Sequence, residues 1–364
     1  MPLGEARKGL KFIMNKKLKA IIIVISITIL ITGVIYAMKQ INKQKTLPTA
    51  TITIEEGDMD TMWVGTFQLV WNEFMDKYVK GNVEFIDGES KIAKELNKKS
   101  FTKEMLNDKD YYIEHGLTNK ELQKRILTNI KNKFNVENST ILKNIEEQKF
   151  EKALNHYTLY AMLNKNFTFN KPFDLIPSAS KFNNGEKNVK YFGIEGTNGL
   201  EDNIKVMFYN GSSDFAVTLK TKENEEVILY RTENRGTFEE LYKEILQKEN
   251  LYSGSKGFKT NDDIKVPYIE VNKDINYNEL CNREIKNCGI YIDKAIQSVN
   301  FNLTERGGNL VSEAINSGTM ENAISMDARK FYFTDTFVLF LKEKDKEKPY
   351  FALMVNSDEI LKTI

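Results

Sequence analysis

The chain has 364 residues, 41% of them hydrophobic and 28% charged, with 52 Lys and Arg against 51 Asp and Glu, two cysteines, two histidines and six prolines. With 11% aromatics this composition excludes a disordered or collagenous chain and suffices for one large domain or two ordinary ones. The near-zero net charge conceals an asymmetry. Residues 1–45 hold nine basic residues and one acid, leaving 43 basic against 50 acidic residues in the remainder, a balance that argues against a nucleic-acid partner.

Residues 1–19 form a basic segment expected to be cytoplasmic, and Met14, which opens MNKKLKA, reads as a better start than Met1. Residues 20–38, AIIIVISITILITGVIYAM, run 19 positions without a charge, enough for one helix across a hydrocarbon core of about 30 Å. Six basic residues precede this run and three follow it, so the positive-inside tendency puts the N-terminus in the cytoplasm and the rest outside. The competing reading is a cleaved signal peptide; the poor small-x-small site at Ile35 and Ala37 and the length of the apolar run favour a retained anchor in the cell membrane. Residues 39–57 follow as a polar stalk, and 58–364 as a single extracytoplasmic body without internal repeats.

Within the body, Trp63, Phe67, Val70, Trp71, Phe74 and Tyr78 recur at helical spacing and predict an amphipathic helix over 59–80. Residues 118–133 read as a helix opened by Thr118 and Glu121 at capping-box spacing, and 237–248 as another opened by Thr237 and Glu240. Residues 150–163 are read as helical. The period then changes to two: residues 203–208, 215–221 and 226–231 predict a meander with a turn at Asn210-Gly211, and 295–303, 329–342 and 349–355 add further strands. The expected class is α+β, antiparallel sheets after a helical first half.

Motifs for chemistry are absent. His115 and His156 stand 41 residues apart with no zinc, calcium, P-loop, nucleophile-elbow or dinucleotide pattern, so no metal, no cofactor and no enzyme activity is expected. The acid pairs Glu225-Glu226, Glu239-Glu240 and Asp262-Asp263 lie in hydrophilic runs and read as solvated faces and turns. Cys281 and Cys288 have two readings. A disulfide outside the cell would stabilise by roughly 2–3 kcal/mol, whereas a helix over 278–285 would splay the side chains and leave two free thiols.

Residues 331–355, FYFTDTFVLFLKEKDKEKPYFALMV, resemble the closing strands of the serpins, with Phe337, Phe340, the charged turn 342–348, Pro349, Phe351 and Val355 at that family's spacing. Upstream, Glu305-Arg306-Gly307 and Gly308 resemble the family's glutamate-x-glycine hinge, and 163–173, 208–229 and 266–280 resemble its preceding segments. The resemblance covers about residues 155–364 and departs at Thr334, Asp335 and Leu353. It implies a divergent, shortened serpin-like fold in which residues 307–330 form an exposed loop, either the family's reactive loop or, as the simpler local reading, a plain solvent-exposed connection. The loop's scissile bond would fall among Glu321, Asn322, Ala323, Ile324 and Ser325. Asn309 and Glu313 stand where inhibitory members carry small residues, and they would be costly if they faced the sheet core. Three functions remain open: a non-inhibitory interaction or cell-envelope module binding an extracellular protein, a membrane-tethered inhibitor of a serine protease, and an unrelated α+β ectodomain. In each the lipid bilayer is met through residues 20–38.

Overall fold

A computed structural model describes residues 52–53, 60–136, 139–151, 154–183, 185–196, 199–308 and 328–364. The predicted membrane span, most of the stalk and residues 309–327 of the predicted loop, including Glu321 to Ser325, lie outside them. Among the described residues no helix is long and apolar enough to cross a membrane.

The predicted meander forms as β8 (Ile204–Tyr209), β9 (Phe215–Lys220) and β10 (Glu226–Arg231), with Asn210 turning the first hairpin by bonding the Asp214 carbonyl. β10 pairs antiparallel with β17 (Phe337–Lys342), from Glu226 opposite Lys342 to Arg231 opposite Phe337. β17 in turn pairs with β18 (Phe351–Val355), β18 with β2 (Thr61–Val64), and β2 with β1 (Ile52–Thr53). This seven-stranded sheet joins the C-terminal strands to the meander, as the resemblance required. β1 falls inside the stretch read as stalk.

The second sheet is built on β14 (Ile290–Thr304). On one edge it carries β12 (Ile269–Asn276), antiparallel. On the other it runs parallel to β4 (His156–Asn164), which pairs outward with β3 (Tyr111–Leu117). A short β13 (Glu284–Ile285) hairpins onto the start of β14. A third sheet orders β6 (Asp174–Lys181), β7 (Asn188–Ile194), β11 (Asp263–Pro267) and β16 (Lys330–Tyr332).

The layers follow from which faces are apolar. Val299, Phe301 and Leu303 of β14 meet Leu339 and Leu341 of β17 and Phe351 and Leu353 of β18 in the main core between the two large sheets. Each such fully buried side chain contributes roughly 1.5–3 kcal/mol by leaving water. The other face of β4 and β14, through Tyr160, Met162 and Ile296, is covered by the helices Lys120–Phe134 and Thr140–Glu147. The helix Phe238–Leu251 covers the outer face of the first sheet at Phe208, Tyr230 and Phe340, and it opens with the predicted Thr237/Glu240 capping box.

Several expectations are corrected. Residues 150–163 are not a helix: β4 occupies their C-terminal half, buried on both faces from Thr158 onward, so its apolar run lost the alternation that marks a strand. The helix expected over 59–80 starts only at Gly65, because residues 61–64 are β2, and it passes at Phe74 into a π-helical turn, Met75–Val79. The cap of Lys120–Phe134 is Asn119, whose side chain accepts the Leu122 N–H, and not Thr118, whose hydroxyl instead meets that of Thr158. Residues 329–342 break into β16 and β17. Glu225 and Asp262, read as solvated, are completely buried, because each answers a buried cation far away in sequence. The disulfide is not formed: Cys281 and Cys288 are free thiols, each turned onto a carbonyl of its own turn, of Tyr277 at 3.5 Å and of Ile285 at 3.7 Å.

Candidate functional site at the hinge of the mixed sheet

At the top of β14 the chain reverses through Glu305 and Arg306 into β15 (Gly307–Gly308). β15 pairs antiparallel with β14, Leu303 opposite Gly308 and Thr304 opposite Gly307. Its other edge pairs with β5 (Phe167–Thr168), the short strand that continues from β4. Leu303 also faces Ile269 of β12, so β15 must lie on the β4 side of β14. The two hinge glycines thus sit in line with the seam between β4 and β14, at its upper end.

Only glycine fits there. Gly307 has φ 140°, and a Cβ on it would stand 2.1 Å from the Phe167 carbonyl oxygen. A Cβ on Gly308 would come within 2.5 Å of the Phe167 ring. Backbone bonds from Phe169 N–H to the Arg306 carbonyl and from Phe173 N–H to the Glu305 carbonyl, 2.9 and 2.8 Å, fix the reversal. The Glu305 side chain is buried and accepts the Tyr268 hydroxyl at 2.6 Å, with Arg306 Nε 3.5 Å from its other oxygen. Glu305, Gly307 and Gly308 are therefore brought together. From Ala328 onward the described chain is anchored by Arg329, whose guanidinium pairs with buried Asp262 at 2.6 Å and donates to the Ser255 and Gly257 carbonyls.

Among the described residues the seam is the one parallel ladder of its sheet: nine pairs run from Tyr291 opposite His156 to Asn300 opposite Asn164, with an irregularity between Ile292 and Lys294. Parallel ladders are somewhat weaker per residue than antiparallel ones. A strand entering the seam from β15 would run antiparallel to both neighbours and exchange one parallel ladder for two antiparallel ones.

Two features of the site escaped the sequence. Phe167, in β5, and Tyr268, between β11 and β12, line the hinge but look like any buried aromatic residues in a strand-rich sequence. Behind β5 lies a buried charge cluster in which Lys165 Nζ is 2.6 Å from Asp110, 2.8 Å from Glu225 and 3.5 Å from Glu343, while the Tyr350 hydroxyl donates to Glu225 at 2.9 Å. A lysine two residues beyond the apolar run 159–163 was the available signal. Elsewhere the histidines are satisfied: His115 bonds Glu73 at 2.9 Å and Tyr78, and His156 bonds the Leu154 carbonyl and stacks on Tyr291. No group of three metal-ligating side chains occurs among the described residues. A cleft of about 1010 Å³ beside the helix Phe238–Leu251 has an apolar floor that includes Trp63, Phe101 and Phe340, and a rim of lysines and glutamates.

No family model matches the sequence, and no curated protein matches it. Among solved structures the chain is similar to the mouse protein-Z-dependent protease inhibitor, at 14% identity and a TM-score of 0.50 over 82% of this chain and 91% of that one. Human thyroxine-binding globulin, in complex with thyroxine, aligns at 12% identity and a TM-score of 0.49 over 83% and 92%. Serpin48 of the insect Tenebrio molitor aligns at 11% and 0.46 over 87% and 93%. The two large sheets, the joining of the C-terminal strands to the meander and the alignment at a TM-score of 0.50 agree: the chain has a divergent serpin-like fold.

Proposed function

We propose that the protein is a membrane-tethered, extracytoplasmic serpin-like module whose segment 309–327 is a protease-exposed loop able to enter the β4–β14 seam after cleavage, with a serine protease as the partner class. The observation that carries this reading is the register of the hinge glycines. Gly308 opposes Leu303, a main-core residue, and opposed residues of an antiparallel pair share a face. Continuing that register would set Leu310 opposite Phe301, Ser312 opposite Val299 and Ala314 opposite Gln297, all toward the core. Asn309 and Val311 would oppose Asn302 and Asn300 on the other face, and Glu313 would oppose Ser298, which is buried there beside Met162 and Tyr160 under the covering helices. The register thus keeps Asn309 and Glu313 off the main core between the two large sheets, although Glu313 would still enter the face beneath the helices, and this favours an inserting loop over a passive connection. The tether rests on the uncharged run 20–38 and is tested by alkaline extraction of membranes, which would release a protein that lacks an anchor.

Insertion is tested without any protease by adding a synthetic peptide of residues 309–320 to the full-length chain. The expected result is a slow one-to-one complex with a raised melting temperature, abolished when Ser312 and Ala314 of the peptide are replaced by aspartate. A peptide that binds no better than its aspartate variant would refute the seam as an acceptor.

A further inference from the structure

We propose that the carboxylate of Glu225, with Lys165, Asp110 and Glu343, forms a proton-controlled latch that sets how firmly β5 grips the hinge glycines. The inference rests on the reading of Gly307 and Gly308 as the start of a moving strand.

The connection from cluster to hinge is short. Lys165 lies two residues before β5. The turn that carries Glu225 is also the partner of β5: Glu223 accepts both the N–H and the hydroxyl of Thr168 at 2.8 Å, Lys222 N–H donates to the Thr168 carbonyl at 2.9 Å, and Phe169 bridges to Thr221. Thr221 in turn donates its hydroxyl to the Glu225 carbonyl at 2.9 Å. Hence the strand that walls in Gly307 and Gly308 is held by the turn on which Glu225 sits, and from the other side by the chain segment bearing Lys165.

The charges within this small buried space do not balance. From its neighbouring elements Glu225 faces Lys165 after β4, Asp110 before β3, Glu343 at the end of β17 and Tyr350 before β18. Among the described residues Lys165 is the one cation paired with these three carboxylates, and all four charged groups are buried. The Lys342 ammonium beside them is directed onto the Glu343 and Lys346 carbonyls and the Glu226 carboxylate. Burial pushes Glu225 up to about 7, against the pull of Lys165 and of the Tyr350 hydroxyl, with Glu343 adding to the rise. Burial alone would lower Lys165, but the Glu225 and Asp110 carboxylates hold it above its ordinary value, so it remains the cation. With Glu225 protonated, its side chain adds no charge beside Lys165. As it ionises around neutrality a further negative charge appears in the same space, and its relief is solvation by outward movement of the 221–225 turn, which loosens β5.

The test is hydrogen exchange of the peptide spanning 303–308 in the full-length chain between pH 6 and pH 8, corrected for intrinsic exchange. In the wild type, protection is expected to fall about tenfold across this range, as one linked proton requires. In E225Q it should stay at the wild-type pH 6 level throughout. Y350F removes a bond that favours the ionised carboxylate, so its fall should move to higher pH. An unchanged pH dependence in either variant, or a flat wild-type profile, overturns the latch. Exchange needs no strand insertion. A flat profile in a protein that anneals the 309–320 peptide therefore removes the latch alone, whereas a failed annealing with the pH dependence intact removes the insertion reading alone.

Discussion

Lys165 shows how one side chain can decide the state of a core. Removing it would leave Asp110, Glu225 and Glu343 facing one another without a cation, and an uncompensated buried charge costs about 3–5 kcal/mol. K165M is therefore expected to lower the urea unfolding free energy by roughly that amount at pH 7, and a loss near zero would show that the cluster is solvated in solution. Residues of this kind were the least legible in the sequence. Glu225 stands beside Glu226 and Asp262 beside Asp263 in hydrophilic runs, and nothing local distinguishes the buried member of each pair. Their partners, Lys165 and Arg329, lie 60 and 67 positions away, a pairing that only the tertiary fold sets. Glu305 and Gly307 were singled out because a glutamate-x-glycine at the end of a long strand pattern resembles the family's hinge. Phe167, which makes glycine obligatory there, was not.

Elements joined by a single polar contact give a second kind of prediction. Glu73 on the helix Gly65–Phe74 accepts from His115 on β3 and from Lys103, and the His115 bond is the main cause that brings its carboxyl down to about 2 despite partial burial. A lowered carboxyl stabilises the fold above its ordinary range near 4.5, and that contribution is lost as pH falls through about 2. The Glu73 side chain is 35% exposed, so solvent screens part of the effect. Urea titrations of the wild type and E73Q between pH 5 and pH 2 should show a shallower loss of stability in E73Q; parallel curves would show that the pair does no more than fill space. Period and turn chemistry located β8, β9, β10, β14, β18 and the capped helix Phe238–Leu251 from the sequence, because each has one apolar face or a local stop signal. β4 was misread for the opposite reason: from Thr158 to Asn164 every residue is buried, between the main core and the covering helices, so its pattern carries no period.

At the scale of the whole molecule, two large sheets face each other across an aromatic core, and one of them carries a parallel seam with a glycine hinge at its upper end. The joining of residues 226–231 to 337–342 in one sheet was the arrangement on which the resemblance depended, and it is present. What the sequence could not disclose is the parity of the hinge. The side to which Gly308 points follows from its register against Leu303, and a slip of one residue would turn Asn309 and Glu313 toward the core. The most direct measurement of insertion is a thermal melt of the full-length chain before and after a single proteolytic cut within 309–327. A rise in melting temperature of tens of degrees on cutting is predicted, because the freed segment adds a strand to the seam; a cut that leaves the melting temperature unchanged or lowers it would contradict the account.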